Sequence, residues 1–412
     1  MKTSQDRSLV INGRFLGRRA TGVDRFAFET VRAIDQLIAA GDPIVAGLRA
    51  QIVVPAALAG MPNPFSHVQL RASGKGGGLR WEQFALPQAV RGGLLLNLCN
   101  SGPLLYRSQV TVLHDAAPAR VPDSYSRSFV AWYRLMAPSI GRIARRVITV
   151  SEFSRRELCE AYRIPLDKIG VVHESGEHML RMHGAQDAQE RALETAGLVS
   201  NAVAGASEVA REAAREGARE VAGAGVCEVA PERVLESAGE RPFVLAVGSL
   251  NRHKNFQLVA EAAQLIRDAQ FDIVVVGGGD ARVYGASGAV LPGFVKHLGY
   301  VSDEALVSLY RRAACFVYPS RYEGFGLPPV EALALGCPVI ASRLPSVVEA
   351  CGDAVLYTSP DDPAQLAALL ERVTADAALR ETLRARGRER TAALTWRATA
   401  VKLIEEISPW LM

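Results

Sequence analysis

The sequence predicts an α/β protein of two Rossmann-like, doubly wound parallel-sheet domains facing a central cleft. Three observations predict it. The chain has 412 residues, and single hydrophobic cores rarely grow beyond about 250–300 residues. Short β-branched runs alternate with helical stretches along both halves, the pattern of a parallel sheet with crossover helices. Between the halves, from His183 to Glu240, composition turns abruptly to Ala, Glu, Arg and Gly.

In the first half the apolar runs place strands near Leu9–Ile11, Ile52–Val54, Leu94–Leu96, Val110–Leu113, Val147–Val150 and Ile169–Val172. In the second half they fall near Val244–Val247, Ile273–Val276, Cys315–Tyr318, Val339–Ala341 and Val355–Tyr357. Helices are expected between them, at 255–269, 303–313 and 328–335 among others. The expected division is a first domain at 1–180, a helical insert or linker at 181–240, a second domain at 241–392 and a closing helix at 393–412. In the insert, Arg-Glu pairs recur at Arg211-Glu212, Arg215-Glu216 and Arg219-Glu220. Each Glu meets the next Arg at i+3, which supports a solvated helix but buries little. The closing stretch around Trp396, Val401, Leu403 and Ile404 has the period of an amphipathic helix. In open sheets of this type ligands bind at the carboxyl ends of the strands.

A net charge of +4 is too small to argue for nucleic acid, and no nucleic-acid-binding motif accompanies it. The six cysteines are scattered without C-x-x-C spacing, several within apolar runs, so buried reduced thiols are expected. The opening MKTSQDRSLVING has no apolar run of signal-peptide length, and no segment approaches the ~20 apolar residues that span a bilayer. A cytoplasmic protein is expected, free or peripheral at the inner face of the cytoplasmic membrane. Two arginine clusters, Arg14, Arg18 and Arg19, then Arg142, Arg145 and Arg146, read as solvated helix faces. Contact with anionic lipid headgroups is the sharper alternative.

The most informative segment is PSRYEGFGLPPVEALALGCPVIAS, Pro319 to Ser342. Gly324 and Gly326 allow close backbone approach and positive φ. Pro328 fits a first helical turn, where its missing N–H costs nothing. N–H groups at that helix start, with the positive end of its dipole, suit a phosphate. Glu323 then lies beside the phosphate, and Glu331, about one turn into the helix, is placed to accept from a sugar diol. A carboxylate on either side of a phosphate cradle suits a sugar nucleotide.

This string, with the apolar strand ending Tyr318-Pro319-Ser320 before it and GDAVLY after it, resembles the signature of retaining GT-B glycosyltransferases of family 4. Many of these build lipopolysaccharide, exopolysaccharide or capsule. The resemblance covers most of the chain outside 183–240 and is strongest from Phe243 to Tyr357. It implies the GT-B fold, a closing helix that crosses back to the first domain, and transfer with retention. It also implies donor contacts from Gly324, Phe325, Gly326 and Leu327.

Other positions match the family pattern residue by residue. Lys254-Asn255, in VGSLNRHKNF, fits the family's lysine pair and is placed to neutralise a diphosphate leaving group. Many members carry arginine where this chain has Ser249 and His253, and Arg252 is offset by one; Ser249 and Arg252 are nevertheless candidate donor ligands. Thr21-Gly22-Val23 resembles the family's glycine turn on the opposite wall, with Gly22 approaching the diphosphate. Tyr300 and Val301, in LGYVSDEAL, match a segment beside the nucleobase. His114, at the end of VTVLHD, matches a histidine lining the reacting centre, and WEQFALP helps shape the acceptor side. Glycines 277–279 before Asp280 mark a tight turn of weak specificity. His173, Glu174 and His178 have the composition of a metal site, but the family shows an Asn-Gly turn there and does without a catalytic metal. Hinge packing is therefore the reading, with no cofactor and no metal required.

The expected catalytic residues are Glu323, His114 and Lys254. The expected function is retaining transfer of a hexose, mannose as first candidate, from a nucleotide-diphosphate sugar to a glycan or polyprenyl-linked acceptor in cell-surface polysaccharide synthesis. A GT-B-fold sugar-nucleotide epimerase and a non-catalytic nucleotide-sugar-binding protein are the competing readings.

Overall fold

A computed structural model of the protein describes residues 7–18, 21–90, 92–184, 241–248, 251–277 and 292–411. The insert beyond residue 184, Ser249, Arg19, Cys227 and the turn at 278–280 lie outside these residues. The first sheet is formed by β1 (Arg7–Asn12), β2 (Leu48–Val54), β3 (Gln69–Ala72), β4 (Leu94–Asn97), β5 (Gln109–Val112), β6 (Arg146–Thr149) and β7 (Ile169–Val171). The second comprises β8 (Phe243–Val247), β9 (Asp272–Val276), β10 (Val295–Gly299), β11 (Cys315–Tyr318), β12 (Val339–Ser342) and β13 (Leu356–Thr358). Their orders are β3-β2-β1-β4-β5-β6-β7 and β10-β9-β8-β11-β12-β13. Every pairing is parallel. This is the GT-B architecture, two parallel Rossmann-like sheets.

Strands covered by helices on both faces read as near-continuous apolar runs, and β4, β5, β11 and β12 are buried at every residue, with the polar Asn97, Gln109 and Thr111 hydrogen-bonded to one another. The two strands absent from the sequence-based list, β3 (QLRA) and β10 (VKHLG), are both edge strands whose residues stay partly exposed. With no need to be apolar on both faces, they give no hydrophobic run.

The strand order reverses between β1 and β4 in one sheet and between β8 and β11 in the other. A crevice forms at such a switch point, outside the carboxyl ends of the strands. In the second sheet the loops after β8 and β11 carry Lys254 and Glu323. The helix Trp396–Ile407 packs on the helix Gly22–Ala39 of the first half, with Trp396 against Phe26 at 6.1 Å between ring centres. Arg146 binds Glu406 (2.5 Å) and Arg397 binds Asp42 (2.6 Å) along the same contact. The arginine clusters are thus largely engaged within the protein. Arg14 binds Glu82, Arg18 binds Asp24 and Arg146 binds Glu406, leaving Arg142 and Arg145 exposed. Among the described residues the five cysteines are free thiols, and no helix is long and apolar enough to cross a membrane.

Candidate active site at the interdomain cleft

Lys254 ends a short 3-10 turn, Arg252–Lys254, fixed from below by the next residue. Asn255 adopts a left-handed conformation (φ 56°), and its amide donates to the carbonyls of Pro319 (3.0 Å) and Pro360 (2.9 Å). Asn255 also accepts from Arg321 Nε (3.1 Å). The β8 turn and the β11 loop are therefore tied together, which delivers Lys254 Nζ to Glu323 Oε1 at 2.8 Å. Burial pushes the Glu323 carboxyl up, but the charge and hydrogen bond of Lys254 outweigh it and hold it below its ordinary 4.5.

The glycines after Glu323 have different reasons to be glycine. A Cβ on Gly324 would lie 2.7 Å from the His114 carbonyl of the opposite half, so only a bare backbone passes there. Its own carbonyl accepts from Ser151 Oγ (2.5 Å) and Ser154 Oγ (2.9 Å) of that half. Gly326 has φ +113° and caps the helix Leu327–Ala334. The anion cradle is narrower than a full helix start. Pro328 and Pro329 carry no N–H, and the Val330 amide bonds the Gly326 carbonyl (3.3 Å). The Leu327 amide and the loop amides before it remain as donors. Phe325 is buried and stacks on His173 (5.5 Å). Gly22 stands across the cleft, its Cβ direction 3.8 Å from Leu327 Cδ2.

His114 is buried, and both its ring nitrogens face acceptors: Nε2 the Leu98 carbonyl (3.0 Å) and Nδ1 the Glu174 carboxylate (3.3 Å). Burial pushes the imidazolium down, but Glu174 and the Leu98 carbonyl outweigh it and hold the group above its ordinary 6.5. Both ring nitrogens are thus engaged by acceptors of the protein itself. Asp115, the next residue, is raised above its ordinary 3.8 by burial, against the pull of the Ala117 amide and His114. It senses both Glu323 and Lys254. Asp115 closes the VTVLHD run, and its contact with Gly324 (Cβ direction 3.1 Å) could be found only in the fold.

Glu331 lies one turn into its helix, with Oε1 3.0 Å from Nε2 of His178. The residues with metal-like composition are parted among separate partners: His173 binds Glu349 (3.1 Å), Glu174 binds His114 and His178 binds Glu331. Glu349 also accepts from the amides of Glu152 (2.7 Å) and Phe153 (3.1 Å), which locks the two halves at the hinge. WEQFALP points mostly inward, since Glu82 binds Asn12, Arg14 and Ser101, and Trp81 donates to the Ser73 carbonyl (2.7 Å). Arg252 is exposed and borders a cavity of about 760 Å³ beside His253, lined from both halves by Asp123, Arg321 and Asp361 among others. Tyr300 and Val301 follow β10, and Tyr300 is 40% exposed.

Residues 231–390 match the family of group 1 glycosyl transferases. The O-antigen chain mannosyltransferase B of Escherichia coli is 26% identical over 294 residues, 70% of this chain and 66% of that protein. The O-antigen chain mannosyltransferase RfbU of Salmonella typhimurium is 26% identical over 263 residues, 63% of this chain and 59% of that protein. The aligned part thus spans less than two thirds of each relative's length. Among solved structures, a sucrose-phosphate synthase from Thermosynechococcus elongatus superimposes with a TM-score of 0.66 at 19% identity, covering 98% of both chains. WaaG, a glycosyltransferase of lipopolysaccharide biosynthesis, gives 0.61 at 12% identity over 97% of this chain and 98% of its own. The fold is what these structures share with the chain.

Proposed function

We propose that this glycosyltransferase, a GT-B protein with a group 1 domain at residues 231–390, moves a hexose from a nucleotide-diphosphate sugar to a glycan or lipid-linked saccharide, with retention, as a family 4 enzyme. Mannose is the first candidate, supported by the mannosyltransferase names of the relatives. One observation carries the reading: a lysine and a carboxylate 2.8 Å apart at the sheet's switch point, beside a proline-started helix.

Lys254 binds the donor diphosphate and neutralises it as it leaves, with the amides near Gly326 and Leu327 adding fixed dipoles. Gly22 lets the opposite wall approach the same phosphates. Glu323 holds Lys254 in place before the donor arrives and then faces the transferred sugar. Glu331 accepts from the ribose diol, Tyr300 and Val301 flank the base, and Arg252 lines the outer phosphate side. His114 contributes charge beneath the reacting centre rather than proton transfer. No cofactor or metal is needed in this scheme, because the cation is a side chain. An acceptor with a lipid portion would meet the exposed Phe84, Leu105, Phe129 and Leu135 of the first half, with Arg127 and Arg134 placed for anionic headgroups.

The test is a thermal-shift panel of the purified protein with UDP, GDP, ADP, dTDP and CDP, without metal and with a chelator. A ligand at ~100 times its dissociation constant stabilises by about 2.7 kcal/mol and raises the midpoint by a few degrees. A shift with one nucleotide alone is expected and names the donor class; no shift with any would overturn the donor reading. Incubation with the matching nucleotide sugar alone separates transfer from epimerisation, since an epimerase would convert it without acceptor.

A further inference from the structure

Behind Glu331 lies a buried hydrogen-bonded chain that the proposed chemistry does not use. His178 is 1% exposed, and its two nitrogens face different elements. Nε2 lies 3.0 Å from Glu331 Oε1, and Nδ1 lies 3.3 Å from the indole Nε1 of Trp396 on the helix that crosses back from the second half. An indole nitrogen only donates, so Nδ1 must accept, and the imidazole proton is placed on Nε2, facing the carboxylate. The order is fixed: Trp396 N–H to His178 Nδ1, then His178 Nε2–H to Glu331.

We propose that His178 is a positioning residue for donor binding, which aims Glu331 into the cleft and makes its aim depend on the seating of the crossing helix through Trp396. This rests on the reading of Glu331 as the diol ligand. The backbone around His178 is tied at both ends. Ser175 Oγ donates to the Leu394 carbonyl (2.5 Å), Glu177 accepts from the Trp396 amide (2.9 Å) and Thr399 Oγ1 donates to the His173 carbonyl (2.8 Å). On the other side Gly176 abuts the Val330 carbonyl and Glu331 Cα. The imidazole therefore cannot follow a drifting carboxylate; the carboxylate is held by the imidazole. His178 engages Oε1, which leaves Oε2 for a diol. A glutamate fixed before binding loses less rotamer freedom when the ligand arrives.

The experiment uses the full chain and calorimetry with whichever of the five nucleoside diphosphates binds the wild type most tightly. His178→Leu is expected to weaken binding about tenfold and to raise the donor KM with kcat within about twofold. His178→Gln, whose amide N–H reaches the same oxygen, should recover most of the loss, which a merely space-filling role would not produce. Trp396→Phe keeps an aromatic ring but removes the indole N–H that His178 Nδ1 accepts, and should weaken binding about threefold. Equal affinity of His178→Leu and wild type, or equal loss in His178→Leu and His178→Gln, would overturn the proposal. Should His178→Leu fail to fold, an unchanged affinity in Trp396→Phe overturns it instead. Glu331→Gln separates the two claims: if that variant binds like wild type, the reading of Glu331 fails; if it binds weakly while His178→Leu does not, only the role of His178 fails.

Discussion

Glu323 and Glu331 sit eight residues apart on either side of one turn, yet their partners are of opposite kinds. Glu323 is held by the ammonium of Lys254, on a long flexible stem whose side chain is 21% exposed. Glu331 is held by the ring of His178, which is 1% exposed and tied at both nitrogens. An ammonium with three donors can turn from a carboxylate to an incoming diphosphate without losing its charge pairing. A buried imidazole whose proton is set by an indole cannot turn at all. On the proposed reading the front pair exchanges partners during a reaction cycle, and the back pair remains as it is.

The largest effect should separate the two pairs by kind. Lys254→Ala and Glu323→Ala are each expected to cut transfer at least 100-fold, about 2.7 kcal/mol of transition-state stabilisation. Folding should be intact by circular dichroism and melting. Near-wild-type rates in both variants would break the comparison, because the front pair would then be a structural ion pair like many others. Glu331→Ala should instead weaken nucleotide binding about tenfold and leave kcat within a few-fold, the pattern of lost ground-state binding. A kcat loss as deep as that of Lys254→Ala would place both carboxylates at the reacting centre.

How these pairs were legible differs just as sharply. The string Glu323 to Glu331 announces a turn into a helix because its glycines and prolines are local, and local backbone rules act on neighbours. The interior strands were legible for a similar reason: β11 (CFVY) and β12 (VIAS) are buried at every residue and nearly all apolar. The edge strands β3 and β10 were not, since Gln69, Arg71, Lys296 and His297 answer to solvent as much as to a core. The partners of the charged groups were hidden by distance along the chain. His178 is 153 residues from Glu331 and 218 from Trp396, and nothing local marks it. Its composition beside His173 and Glu174 suggested either a metal site or a hinge, and neither reading shows that it touches Glu331. Arg14, Arg18 and Arg146 read as a basic surface because Glu82, Asp24 and Glu406 lie elsewhere in sequence or on another face.

The smallest effect is in pH, and it sharpens the comparison by adding a third pair, His114 with Glu174. Glu323 is depressed below 4.5 by Lys254 despite its burial. A depressed carboxylate contributes stability above its unfolded value and loses it as pH falls through the folded one. His114 is raised above 6.5, because Glu174 and the Leu98 carbonyl outweigh the burial that would lower it. A raised imidazolium contributes fully below its unfolded value and loses that contribution as pH climbs through the folded one. The melting gap between wild type and Glu323→Gln should therefore persist at pH 7 and close on acidification below about pH 4.5. The gap between wild type and His114→Gln should be full at pH 6 and shrink toward pH 9, both read as shifts in melting midpoint. A His114→Gln gap that widened toward pH 9 would mean that the imidazole is neutral in the folded protein. His114 would then keep a lone pair and become a candidate base after all, and the cleft floor would have to be assigned anew.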